Sequence, residues 1–343
     1  MAGMSRFILR GRHIVTMDAR RTHVDDGAVL VNGTLIEAVG KLSDLLDQEP
    51  GVEVFGEPDD VVVPGMINGH QHLTGDRLIR SAIPETVSSG EAIFEWAVPV
   101  HAAHSERDDY LSTLFALDEA LRHGVTTTIE AGTVAHPSAV LKAQREMGTR
   151  GTLGSWGWDT PGGPYSGSVD EVLARQHDVL SLTRDDPLIR GWVTLVGHDL
   201  MSDELVASAS SLARESGTRL TFHLSPSASD PESYIERTGR RPIRHLRELG
   251  ALGPHVLIAH AVHLDADEID CLVELMGGLA QPAVGQVQQS SPWFGKPSFQ
   301  IKTDVDAARK LVEEAGYSVK NPVKATILIP TGGTGQMLSL PIN

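Results

Sequence analysis

Val61-Val62-Val63-Pro64-Gly65-Met66-Ile67-Asn68-Gly69-His70-Gln71-His72 is the stretch on which the fold turns. A β-branched run breaks at Pro-Gly, and two histidines follow at spacing two. Successive side chains of an extended strand point to opposite faces, so His70 and His72 share one. Two imidazoles side by side at a strand end make half of a tetrahedral or five-coordinate metal site. With 15 His in 343 residues, roughly one His-x-His pair arises by chance, so the spacing says little alone. The strand and the Pro-Gly break ahead of it say more.

Upstream, short β-type runs alternate with turns: Phe7-Ile8-Leu9, His13-Ile14-Val15, Ala28–Val31, Leu35–Val39 and Val52–Phe55. Asn32-Gly33 between two of them is a hairpin signal. Downstream, an irregular section runs to about Ser105, a length that usually means a functional lid or wall. From Asp108 the chain alternates helix and strand patterns, the sign of a parallel sheet with helical crossovers. Helices are predicted after Asp108, at 137–147, at 169–183, from the Ser202-Asp203 cap to about Glu215, and around 240–249. The strands between them are Val125–Glu130, 152–158 with Trp156 and Trp158, Leu188–Val196, Arg219–Leu224 and Val256–His260. With the first stretch these make six strands of a (β/α)8 barrel, a fold that does its chemistry at strand C-termini. His223 and His260 stand at two such ends.

Composition narrows the function. A hydrophobic share of 41% with 22% charged residues is that of a globular protein, and a net charge of −16 argues against nucleic acid. No apolar run reaches membrane-spanning length, and the apolar part of the N-terminus is short for a secretory signal. The single cysteine, Cys271, excludes an internal disulfide framework, suits the cytoplasm and reads as packing. Charge also divides the chain. Residues 280–343 carry six Lys/Arg (Lys296, Lys302, Arg309, Lys310, Lys320, Lys324) against four acids, a net +2 that leaves −18 for residues 1–279, and no histidine follows His263. Such asymmetry suggests two unrelated pieces.

Pro64–His72 in this context resembles the first barrel strand of the amidohydrolase superfamily, in its branch of triazine hydrolases and cytosine and guanine deaminases. The resemblance covers residues 1 to about 275. It implies a small β-sandwich flank over residues 1–60 and a barrel of about six βα units over 61–275. It also implies one divalent metal, zinc with iron or nickel as alternatives, held by His70, His72 and His223. His260, chosen over His263 because it directly ends an apolar run, would contact substrate or water as the catalytic histidine. The 73–105 section, including Trp96, would wall the pocket, and His198 is a second candidate substrate contact. The implied activity is hydrolysis of a non-peptide C–N bond, or loss of a related group, on a heterocycle or amide. A divalent ion lowers the pKa of bound water to about 7 and so supplies hydroxide.

Two departures limit the reading. Where the deaminase branch carries a glutamate three residues after the fifth-strand histidine, this chain has Pro226, which gives no proton. Ser225, Glu130, His198 and Asp199 are the available substitutes. The fourth strand ends Val196-Gly197-His198-Asp199 without a lysine, which favours one metal over two. The chain also departs after the sixth strand. Residues 276–343 resemble part of the peptide-binding lobe of ABC-importer solute-binding proteins, through Gly278–Gly285, Ser291–Gly295, the helix Asp304–Tyr317 with its Gly316 stop, and the strand Lys324–Ile329. A seam at roughly 268–280 would make the chain a truncated barrel fused to a foreign α/β segment. A divergent last quarter-barrel also fits the helix-then-strand order, but no aspartate follows a strand there. Three functions therefore stand: a metal-dependent hydrolase, a catalytically inactive truncated fusion, and a peptide-binding transport component. The first takes a small-molecule substrate, with neither nucleic acid nor membrane as partner and homo-oligomer formation left open.

Overall fold

The computed structural model describes residues 6–75, 79, 81–84, 86–275, 305–318 and 321. The chain opens with a small sheet. β1 (Arg6–Val15) pairs antiparallel with β2 (His23–Asn32), and β2 with β3 (Leu35–Lys41). Asn32 pairs with Leu35, and Gly33 takes the positive φ of 64° that the hairpin turn needs. β4 (Glu53–Phe55) and β5 (Val61–Val62) add to β1 in parallel. The expected sandwich is thus, among the described residues, a single five-stranded sheet. Its cover is the helix Leu42–Gln48, whose Leu45 packs on Ile8, Ala28 and Leu30. Val61-Val62 therefore belongs to this sheet, paired with His13 and Ile14, and the first barrel-type strand starts only after the Pro64-Gly65 break.

The barrel-type strands begin at β6 (Met66–Gln71). β6, β7 (Val125–Glu130), β8 (Arg150–Leu153) and β9 (Ile189–Gly191) form one parallel sheet in chain order. β10 (Val193–Gly197), β11 (Leu220–Leu224) and β12 (Val256–His260) form a second. Consecutive parallel strands with helical crossovers give the arrangement of a partial (β/α) barrel. The predicted fourth strand, Leu188–Val196, divides at Trp192. Trp192 N–H bonds the carbonyl of Leu153 and Val193 N–H that of Arg219, so the chain changes partner sheet there. The third strand stops at Leu153 rather than running to Trp158. Beyond it the Thr194 hydroxyl bonds Ser155 at both its N–H (2.8 Å) and its carbonyl (2.6 Å), replacing ladder bonds.

Helices start where capping residues say they should. Ser105 with Asp108 and Ser168 with Glu171 form capping boxes on Glu106–Arg122 and Val169–Leu182. The Ser202 side chain caps Asp203–Glu215. Their apolar faces cover the sheets. Leu117, Val140, Leu141 and Val179 pack with Leu153 and Ile189, while Leu205, Ala209, Ile243 and Leu246 pack with Leu195, Phe222 and Leu224. Cys271 joins the second cluster, as packing. Two segments depart from expectation. Residues 89–103, read as irregular, are helical: Ser89–Glu91, a π-helical Ala92–Ala97, then Val98–Ala103. Val98 N–H bonds the Ile93 carbonyl, and Pro99, which has no N–H, follows at once. Ser229–Thr238 is a helix that the sequence pattern did not show.

In the tail, Val305–Glu314 is helical, and Gly316 at φ 86° closes it through Tyr317 N–H to the Val312 carbonyl. The expected segments Gly278–Gly285, Ser291–Gly295 and Lys324–Ile329 lie outside the described residues. Among the described residues no helix is long and apolar enough to cross a membrane.

Candidate metal centre

Five histidines gather at the C-terminal ends of the parallel strands. His70 lies near the end of β6 and His72 just past it; His223 is on β11, His260 ends β12, and His198 follows Gly197 at the end of β10. Parallel strands all present their C-termini to the same face, so residues far apart in sequence meet there. The ring nitrogens of His70, His223 and His260 lie within 4.8 Å of one another. His72 adjoins them, its Nε2 3.4 Å from Nε2 of His223. Ring centroids are 5.0 Å apart for His70 and His72, 4.9 Å for His70 and His223, and 5.3 Å for His223 and His260. His198 stacks on His223 at 5.3 Å.

The donor set fits a divalent cation. His223 Nδ1 donates to the carbonyl of Val196 at 2.7 Å, and a carbonyl can only accept, so Nε2 of His223 carries a bare lone pair. His72 Nδ1 meets the Thr133 hydroxyl at 3.2 Å, which turns its Nε2 toward that lone pair. Such outer partners fix the tautomer and orientation of metal-binding imidazoles. Burial, reinforced by neighbouring imidazoles, holds His72 and His223 well below the usual histidine pKa, while burial alone lowers His70. His260 falls to about 4 from burial first and then from His70 and His198. In each of the four the shift is toward the neutral form, the form in which an imidazole can ligate a metal. The 3.4 Å between the His72 and His223 nitrogens is close to the separation of two ligands on one ion with bonds of about 2.0–2.1 Å; the group within 4.8 Å is His70, His223 and His260, which His72 joins through His223.

The backbone around the cluster is strained. His198, Asp199, Ser225, His260 and Ala261 all have φ between 51° and 70°. Non-glycine residues in this region cost about 1–3 kcal/mol each, and such costs concentrate at functional sites. Gly197 sits at φ 84°, and a Cβ there would meet the His223 carbonyl oxygen at 1.9 Å.

The remaining candidates separate. Trp96 is half-buried in the π-helical stretch, but the aromatic ring placed against His198 is that of Phe94, at 5.9 Å. Glu130 is fully buried and accepts from the N–H groups of Gly132 and Thr133, with burial raising it to about 7, so it anchors the loop carrying Thr133. Asp199 is taken up by Arg237 and Ser233. The Ser225 hydroxyl is buried without a hydrogen-bond partner. His263 lies beyond the cluster, its carbonyl bound by Arg241, and Asp265 caps the following helix through Glu268 N–H. A carboxylate that sequence reasoning missed is Asp230. It accepts from Ser225 N–H at 2.5 Å, and its other oxygen lies 3.7 Å from His198 Nδ1. It was missed because the adjoining Pro231 reads as a break, although acids flanking a proline also suit the first turn of a helix.

Residues 61–320 match the family model described as the amidohydrolase family. The chain belongs to that family. This amidohydrolase chain is 30% identical to the 5-methylthioadenosine/S-adenosylhomocysteine deaminase of Syntrophobacter fumaroxidans, over 76% of this chain and 58% of the relative. Its fold is similar to that of an adenosine deaminase from Xanthomonas campestris with bound zinc (TM-score 0.72, 23% identity, 79% of this chain and 61% of that one). It is also similar to a zinc complex of atrazine chlorohydrolase from Arthrobacter aurescens (TM-score 0.68, 23% identity, 78% and 64%). The chain spans about three fifths of the length of these relatives. The family match runs across the stretch where a seam was expected, and the solute-binding likeness of the tail gains no support from these comparisons.

Proposed function

We propose that this amidohydrolase chain is a metal-dependent hydrolase of a non-peptide C–N bond, or of a related leaving group, on a small heterocycle. In this reading His70, His72 and His223 hold one divalent ion, zinc before iron or nickel, and His260 contacts substrate or water. What supports it above all is the His72–His223 nitrogen pair at 3.4 Å with His70 and His260 beside it. A zinc ion held there would acidify water to a pKa of about 7. The protein supplies the rest. The Val196 carbonyl and the Thr133 hydroxyl orient two of the rings. His198, with Asp230 behind it, stands where a proton could pass to a leaving group in place of the carboxylate that Pro226 lacks. Phe94 and Trp96 on the π-helical stretch would wall the substrate side. The names of the relatives point to an aminopurine-type ring as substrate.

One observation favours a second reading, a catalytically inactive relic. Among the described residues β6 and β12 each pair on one side alone, and Met66 and Ile67 on β6 are 56% and 69% exposed. Zinc content of the wild type and of His70→Ala, with ammonia and chloride release from a panel of heterocycles, separates the two. The hydrolase reading requires one zinc lost in the variant and turnover in the wild type. Metal without turnover supports the relic.

A further inference from the structure

We propose that His13, His23 and Asp25 form a second divalent-metal site, a zinc clip across the first two strands of the small sheet. His13 lies directly opposite Asp25 in the antiparallel ladder, and His23 lies opposite Val15. Residues two apart on a strand share a face, so all three side chains emerge together. His13 Nδ1 is 2.8 Å from Asp25 Oδ1, His23 Nε2 is 3.1 Å from His13 Nδ1, and His23 Nε2 is 3.3 Å from the same carboxylate oxygen. Ligands of a tetrahedral ion with bonds of about 2.0–2.1 Å stand roughly 3.3 Å apart, so the triangle is already nearly that of a coordination shell.

Without a metal, Asp25 Oδ1 can accept from both ring N–H groups, which brings the two imidazole nitrogens to 3.1 Å of each other around one oxygen. A cation at the centre satisfies all three atoms at once. Two imidazoles and a carboxylate suit zinc among the abundant divalent ions. The side chains are 38–61% exposed, which leaves room for water to complete the shell. Lys41 Nζ does not occupy the carboxylate; it bonds the Asp25 backbone carbonyl.

Equilibrium dialysis of the metal-stripped full chain against micromolar ZnCl2 near neutral pH, followed by elemental analysis, tests the site. The wild type should hold two zinc ions per chain, and His23→Ala and the isosteric Asp25→Asn one each. Circular dichroism should show both variants folded. Zinc content unchanged from wild type in both variants overturns the clip, whatever the wild-type total. His70→Ala keeps the two sites distinguishable. If it retains both ions while His23→Ala loses one, the barrel reading fails and the clip stands.

Discussion

Nε2 of His223 lies 3.4 Å from Nε2 of His72 across 151 residues of chain. Neither ring is free to turn away, since the Val196 carbonyl holds one at Nδ1 and the Thr133 hydroxyl meets the other. The pair is the structural core of the candidate centre, and its supports are as open to test as the ligands themselves.

Thr133→Ala removes the partner of His72 Nδ1 without touching a candidate ligand. Loss of such an outer partner typically lowers metal affinity about 10–100-fold. Zinc affinity, measured by competition with a chromophoric chelator, should fall by about tenfold with the fold intact. An unchanged affinity would remove Thr133 from the site.

Gly197→Ala should be severe. The added Cβ meets backbone at 1.9 Å and φ is 84°, so the loop must move and carry His198 and the β11 register with it. A loss of at least about 2 kcal/mol is expected from the strain alone. Urea denaturation measures it, with zinc binding lost in parallel.

His101 carries a pH signature. Burial first, then the charge of His104, depress it from 6.5 to about 4, with Asp109 opposing. A histidine depressed in the folded state binds its proton more readily in the unfolded chain. Its contribution to stability is therefore intact above about pH 6.5 and is lost as pH falls toward 4. The shift corresponds to something on the order of 3 kcal/mol. His101→Gln should flatten the acid limb of the stability–pH curve in chelator-treated protein by an amount of that order. Parallel curves for both proteins would contradict it.

Glu268 is fully buried and binds Arg241 Nε at 2.7 Å, Ile243 N–H at 3.0 Å and Asp265 N–H at 3.2 Å. Glu268→Ala leaves a guanidinium and two N–H groups without that partner. Arg241, partly exposed, keeps Asp265 and the His263 carbonyl, so the loss falls on the N–H groups left unpaired and costs about 1–3 kcal/mol. The thermal midpoint should drop sharply, and a surface-like effect below about 0.5 kcal/mol would be inconsistent with the structure.

Local features were legible in the chain. The Asn32-Gly33 hairpin, the Ser202 cap and the Gly316 stop depend on bonds within a few residues, so residue type alone predicts them. Trp192 and Thr194 were not legible in this way. One splits a continuous apolar run between two sheets, and the other shortens a strand by bonding Ser155 from 39 residues away. Ser229–Thr238 was hidden because Pro231 reads as a break, although in a first turn it costs no hydrogen bond.

By itself the sequence determined which residues could serve: paired histidines after a β-branched run, and single histidines closing two later strands. Alternation along a strand and the parallel βα order are enough for that. Tertiary structure decided what they meet. It put His198 against His223 and Asp230 near His198, set Phe94 rather than Trp96 over that ring, and tied Asp199 to Arg237. Those outcomes rest on how neighbouring strands and loops approach in space, and no spacing along the chain encodes such distances.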